Sequence, residues 1–267
     1  MPNQRWILCS DLHCGAVTGL SYDPHGTIGK KLFERWQDCI SHFGKKPDVV
    51  VMNGDGIDGT DVKGKDTRCS ILDEQARDCA ELLLMWGAKK EYVIVSGTPY
   101  HTGNNGEAED NRIAHHLEML LRANGDTKTK VTYTRKLKTT INDWFRLEMR
   151  HRIGASSVPH GRSTAMARAK FWNVITGALS SARGKAVASW PHLMVFSHVH
   201  YFGLQEDAFG TVLTTPCWQA LGSRFGDEMC DGHIDCGAIQ LTVGEKGTWD
   251  LQKRLYPAGM VSRWEKR

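Results

Sequence analysis

The sequence predicts an α/β protein, and three observations carry that expectation. Short apolar runs at Trp6-Ile-Leu-Cys9, Val49-Val-Val-Met52 and Tyr92-Val-Ile-Val95 have the length and branched side chains of strands buried on both faces. Between them, Ile28, Leu32, Phe33, Trp36, Ile40 and Phe43 recur at helical spacing, and Ile71 to Trp86 reads as a second helix. Past Gly125 this alternation gives way to shorter, hairpin-like strands.

In chain order, the first strand ends at Ser10-Asp11-Leu12-His13. Asp11 and His13 are two residues apart, so their side chains converge if the chain stays extended there. An imidazole beside a carboxylate suits a divalent transition metal better than calcium or magnesium alone. Residues 15–27, with Gly15, Gly19, Pro24 and Gly26, form a loop over the same edge. The second strand is entered through Pro47 and ends at Asp55, between Gly54 and Gly56. Ligand sites in open α/β sheets lie just beyond the carboxyl ends of strands. A carboxylate placed there has lone pairs enough to bridge two cations. The segment from Ile57 to Arg68 is polar, and its acids Asp58, Asp61 and Asp66 read as solvated loop residues.

The third strand ends at Ser96-Gly97-Thr98-Pro99-Tyr100-His101, so a glycine turn again delivers a histidine past a strand end. A helix over Glu107 to Leu121 follows, with His115 and His116 as surface or packing residues. Strands are expected over Val131–Thr134, Leu137–Ile141 and Trp144–Arg150, with Asn142-Asp143 as a turn and His151 closing the last. Lys128, Lys130, Arg135, Lys136 and Lys138 make a basic hairpin. A loop through Pro159, His160 and Arg162 leads to a helix from about Thr164 to Arg183. The final buried strand, His192–Phe196, ends at Ser197-His198-Val199-His200. Two imidazoles at i and i+2 after a strand are more specific than any single histidine. Short strands then follow around 202–205, 211–215, 238–243 and 249–255. No repeat or linker divides the chain, so residues 1–267 are expected to form one domain.

A net charge of +4 permits phosphate-bearing or nucleic-acid partners without requiring them. No run approaches the roughly 18 apolar residues of a membrane span, and the start shows no signal-like segment, so a cytoplasmic protein is expected. The eight cysteines contain no CxxC pair. Cys9 and Cys14 are expected as packed, reduced thiols. Cys230-x5-Cys236, bracketing His233 and Asp235, is looser and less paired than structural zinc spacing.

Asp11, His13, Asp55, His151, His198 and His200 all fall at ends of expected strands. Any one alone would pass as a turn or packing residue; six in this order do not. The order Asp11-x-His13, Gly54-Asp55, Gly97-Thr-Pro-Tyr-His101, His151, His198-x-His200 resembles the calcineurin-like metallophosphoesterase superfamily. The spacing after Gly97, the long helix after His151 and Thr215-Pro-Cys-Trp-Gln219 further resemble its phage and prophage branch, which would place the protein in a host cytoplasm. The resemblance implies a four-layer α/β/β/α sandwich of two mixed sheets with metals at its upper edge. It implies two divalent ions (manganese first, with iron, zinc or nickel as alternatives). Asp11, His13 and His200 would hold one, His151 and His198 the other, and Asp55 would bridge them. It implies a phosphoesterase that cleaves phosphomono- or phosphodiesters with a hydroxide generated at a dinuclear site.

The chain departs from the family's Gly-Asn-His motif. Thr98 follows the glycine, and His101 arrives two residues late. His101 is expected as a general acid, with metal ligation as its alternative, and Thr98, Asn104 or Asn105 could replace the missing asparagine. Tyr100, His160 and Arg162, with Trp218 and Arg224, are candidates to line a phosphate-bearing pocket. The basic hairpin points to nucleotide or nucleic-acid esters over phosphoproteins. The alternative from another class is a metal-binding scaffold or partner-binding module that kept the fold and lost turnover.

Overall fold

The computed structural model describes residues 2–59, 67–102, 108–156, 158–182, 190–222 and 233–256. Among them, β1 (Gln4–Cys9), β2 (Val49–Asn53), β3 (Glu91–Val95) and β4 (Lys130–Thr134) run parallel. Antiparallel β10 (Cys236–Val243) and β11 (Trp249–Tyr256) extend this sheet to the order β11-β10-β1-β2-β3-β4. A second sheet has the order β5-β6-β7-β9-β8, from β5 (Leu137–Ile141), β6 (Phe145–Met149), β7 (Leu193–Phe196), β8 (Gly203–Asp207) and β9 (Gly210–Thr214).

Side-chain alternation explains the layering. In β1, β2 and β3, Trp6, Leu8, Val49, Val51, Val93 and Val95 point between the sheets to meet Phe145, Leu147 and Val195. Their neighbours Ile7, Val50, Met52, Tyr92 and Ile94 face the other way. There they meet α1 (Gly26–Phe43), α2 (Leu72–Leu84) and α4 (Ala108–Ala123). On the outer face of the second sheet, Met194, Phe196 and Val212 pack under Met166 of α5 (Arg162–Ala182). The result is the expected α/β/β/α sandwich, and period 2 with both faces apolar is its cause. Among the described residues, no helix is long and apolar enough to cross a membrane.

One expected element differs. The basic hairpin does not exist, because β4 completes the first sheet beside β3 while β5 opens the second and pairs with β6. Three of its four lysines carry carboxylate partners: Lys136 and Lys138 at 2.6 and 3.5 Å from Glu148, and Lys130 at 3.3 Å from Glu91. The charge argument for nucleic acid at this surface therefore fails. A short helix that the sequence did not signal, α3 (Pro99–Thr102), follows β3.

Trp36 of α1 is sealed between Trp86 and Trp218, edge-on to both at 5.6 and 4.9 Å. Its indole N–H donates to the Leu82 carbonyl. Trp36→Ala should destabilise the fold by about 3–5 kcal/mol, because it leaves a large cavity that these rings cannot fill. Urea denaturation followed by circular dichroism measures it, and a loss under about 1 kcal/mol would show that the layer collapses readily.

Candidate metal centre

Each candidate ligand follows the C-terminal end of a strand. Asp11 and His13 follow β1, Asp55 follows β2, His101 follows β3, His151 follows β6, and His198 and His200 follow β7. Parallel pairing within β1–β3 and between β6 and β7 brings all these ends to one edge. The backbone there is not extended, as the sequence suggested for Asp11 and His13. Asp11, His13, Asp55, His198 and His200 lie at φ of 52°, 47°, 51°, 73° and 57°. Such conformations cost of order 1 kcal/mol or more each outside glycine, and cluster where function demands them. Here Asp11 N–H donates to Gly54 O at 3.0 Å, and His13 N–H to Asp55 O at 3.1 Å, zipping the two loops together. Glycine is required beside them: a Cβ on Gly54 would lie 2.4 Å from the His151 ring, and one on Gly97 2.1 Å from Asp55 Oδ1.

Both carboxylates are sealed from solvent, and each has one oxygen anchored and one turned inward. Asp55 Oδ1 accepts from the Thr98 N–H at 2.6 Å, leaving Oδ2 at 2.9 Å from His151 Nε2 and 3.9 Å from His198 Nδ1. Asp11 Oδ2 accepts from Ser10 Oγ at 2.6 Å, leaving Oδ1 at 3.2 Å from His200 Nε2. A hydroxyl has one proton to give, so the chain behind Ser10 is directional. Thr215 donates to Ser10, Ser197 to Thr215, and the Asn53 amide to Ser197, at 2.7, 2.6 and 2.6 Å. This chain joins the two sheets directly beneath the site. Ser197 is one of its links.

The imidazoles are oriented in the same way. His151 Nδ1 donates to the Asn53 carbonyl at 2.6 Å, which turns Nε2 inward. His13 Nε2 and His200 Nε2 face one another at 3.4 Å. Burial alone would lower the His151 pKa, but the Asp55 and Asp11 carboxylates outweigh it and push it up to about 10. Burial would raise Asp11, yet His151 and His200 hold it below the ordinary carboxylate range. Burial and the neighbouring His101 and His200 keep His13 below its ordinary value, despite Asp58.

Three sets of donor atoms lie within 4.8 Å of one another: Asp11, His13 and His200; Asp55, His151 and His198; and His13, Asp55 and His101. The residues fit divalent metal. Asp11 Oδ1 and His151 Nε2 are buried without a hydrogen bond of good geometry, both turned into the same space. Mixed imidazole and carboxylate donors suit transition ions, and no lysine or arginine offers these carboxylates an ion pair among the described residues.

No protein-family model matches the chain, and no curated protein matches it. Solved structures of similar fold include an archaeal phosphodiesterase, with 11% identity and a TM-score of 0.44 over 95% of this chain and all of that one. Vacuolar Protein Sorting 29 from Cryptosporidium parvum is 10% identical, with a TM-score of 0.44 over 96% of this chain and 99% of that one. Vps29 from Entamoeba histolytica, complexed with zinc, is 12% identical, with a TM-score of 0.40 over 94% and 99%. What the site of this chain can do follows from its own residues.

The other candidates divide. His101 reaches the centre: its Nδ1 donates to the Asp58 carbonyl at 2.7 Å, and its Nε2 lies 4.0 Å from Asp55 Oδ2. Thr98 binds Asp55 through its N–H and hydroxyl, so it fixes a ligand. His160 is exposed, and Arg162 stacks at 4.7 Å over Tyr201; both sit at the start of α5, to the side of the donor sets. Tyr100 lies in α3, its side chain outside the described residues, as are Asp61, Asp66, Asn104, Asn105, Arg224 and Cys230. Trp218 is fully buried, edge-on to Trp36, and its backbone N–H donates to Asp11 O at 3.0 Å. Cys9 and Cys14 are buried free thiols, as expected, and Cys236 lies beside Cys217, each thiol facing the Gln219 carbonyl.

Asp58 is the residue that sequence reasoning missed. It is 7% exposed and not solvated, with Oδ1 at 3.3 Å from His13 Nδ1 and its carbonyl on His101. Its place three residues after Asp55, behind another glycine turn, was the available signal. A carboxylate on the outer nitrogen fixes the tautomer of a ligating imidazole. Asp58→Ala should therefore weaken zinc or manganese binding by about 10–100-fold in isothermal titration calorimetry. Unchanged affinity would leave Asp58 a turn residue only.

Proposed function

We propose that this protein is a metal-dependent phosphoesterase with a dinuclear centre. Asp11, His13 and His200 would hold one ion and His151 and His198 the other, with Asp55 shared by both. The observation that carries this reading is the pair of buried carboxylates, each with one oxygen fixed and the other aimed among oriented imidazoles. Two divalent ions bound there would neutralise a phosphoryl group and supply a nucleophile from water near neutral pH.

The chain's own residues do the rest. The directional hydroxyl chain from Asn53 to Ser10 holds Asp11, and the Thr98 N–H holds Asp55, so neither rotates away. The Asn53 carbonyl and Asp58 keep Nε2 of His151 and His13 turned inward. His198 and His101, with side chains 21% and 14% exposed against 1–3% for Asp55, His13, His151 and His200, form the open side where a phosphate ester enters. His101 Nδ1 is held by a carbonyl, so a proton on Nε2 is aimed over Asp55 toward the leaving oxygen of a bound ester, which suits a general acid. A second role has an observation in its favour, since His13, Asp55 and His101 form a donor set of their own. Manganese is the ion proposed to support turnover.

The reading is tested first at Asp55. Asp55→Asn should lose at least one ion by metal analysis, together with hydrolysis of bis(p-nitrophenyl) phosphate. Full activity with unchanged metal content would sink the dinuclear centre and favour a scaffold of the same fold.

His101 separates by leaving group. As a general acid, its loss in His101→Ala should leave both ions bound. Turnover of alkyl phosphate esters should then fall by about 10²–10⁴-fold, and nitrophenyl esters far less. One ion lost, with equal damage to both ester types, would make His101 a ligand.

A further inference from the structure

Between Glu148 and Glu206 the sequence contains no aspartate or glutamate, yet it carries seven lysines and arginines. The remainder of the chain is net acidic, so the whole positive excess of the protein lies in the stretch running from His151 past His198 and His200. That stretch includes α5. Its buried side, Met166 and Gly177, faces the second sheet. At roughly 100° per residue, Arg168, Phe171, Trp172 and Leu179 fall on the opposite side. Phe171, Trp172 and Leu179 are 60%, 59% and 53% exposed, and the two aromatic rings touch with centroids 6.3 Å apart. Arg150, Arg152 and Arg168 are exposed, and among the described residues none has a carboxylate partner. Ligands and helix are continuous: Ile153, Val199 and Tyr201 share one apolar cluster with Met166. Arg162 at the head of α5 covers Tyr201, the residue after His200.

We propose that the outer face of α5 is a binding platform for single-stranded nucleic acid, which it leads toward the metal centre. Exposed aromatic rings offer stacking surfaces that any base can use, and unpaired arginines meet the backbone phosphates. Seven lysines and arginines with no acid between Glu148 and Glu206 make the surroundings of these rings complementary to a polyanion. From Arg162 to Trp172 is about 15 Å along the helix, so bases can stack on the aromatics while phosphates approach the metal edge. The assignment rests on the phosphoesterase reading only for what happens at that edge; the platform itself binds without turnover.

The test is fluorescence anisotropy of the full-length protein with a fluorescein-labelled phosphorothioate oligothymidylate, which resists cleavage. Replacing both Phe171 and Trp172 by alanine should weaken binding by about tenfold or more. Arg168→Ala should lower the slope of log affinity against log salt by about 0.7. Neither residue touches the metal donors, so hydrolysis of bis(p-nitrophenyl) phosphate should not change. Equal affinity in the aromatic double variant, or tighter binding of duplex than of single strand, would overturn the platform. So would a dimer that is lost in Trp172→Ala without any oligonucleotide binding, since the face would then join two copies of this chain. Turnover of the small diester without oligonucleotide binding removes the platform and leaves the phosphoesterase standing. Binding with these effects but no turnover of any ester does the opposite.

Discussion

The structure depends on keeping Asp11 and Asp55 charged in a place that water does not reach. An isolated carboxylate transferred to such surroundings costs many kcal/mol and would take up a proton instead. These two are held below or well below their ordinary pKa by imidazoles, against the opposing effect of burial. Everything at the upper edge of the sandwich serves that compensation. The five left-handed residues bring donors closer together than extended chain would allow, and Gly54 and Gly97 remove the Cβ atoms that would hold them apart.

Rigidity follows from the same need. A ligand that can rotate loses affinity for any cation, and Asp11, Asp55 and His151 are each tied by the other end. The ties come from both sheets. Ser10 follows β1 and Asn53 ends β2 in the first sheet, Ser197 and Thr215 follow β7 and β9 of the second, and their hydrogen bonds are all 2.6–2.7 Å long. The site is thus the seam between the sheets, and shear between them would be felt first at Asp11. A buried chain of hydrogen bonds that ties both sheets together rigidifies the groups it holds.

Away from the seam, the two helical layers differ in kind. The layer over the first sheet is sealed by Trp36, Trp86 and Trp218 and leaves few large apolar side chains exposed. The single helix over the second sheet buries a narrow stripe and turns aromatic rings to solvent. Phe171 and Trp172, more than half exposed, contribute little to the core, so their placement calls for a reason outside folding.

The sequence by itself determined the layers and singled out the histidines and aspartates that meet at one edge. Strands apolar on both faces could only be interior strands of a covered sheet. Histidines and aspartates recurring at strand ends needed no coordinates to stand out from ordinary turns. What it could not determine was long-range. Whether β4 pairs with β3 or folds back on β5 depends on which sheet edge is open, and local patterning is the same for both. Asp58 looked solvated because a glycine- and aspartate-rich loop usually is; only its folding back under His13 buries it. Trp218 looked available for substrate, because nothing in its neighbours in sequence announces that Trp36 covers it. In each case the deciding contact joins residues 39 or more positions apart, at distances set by packing and not by spacing along the chain.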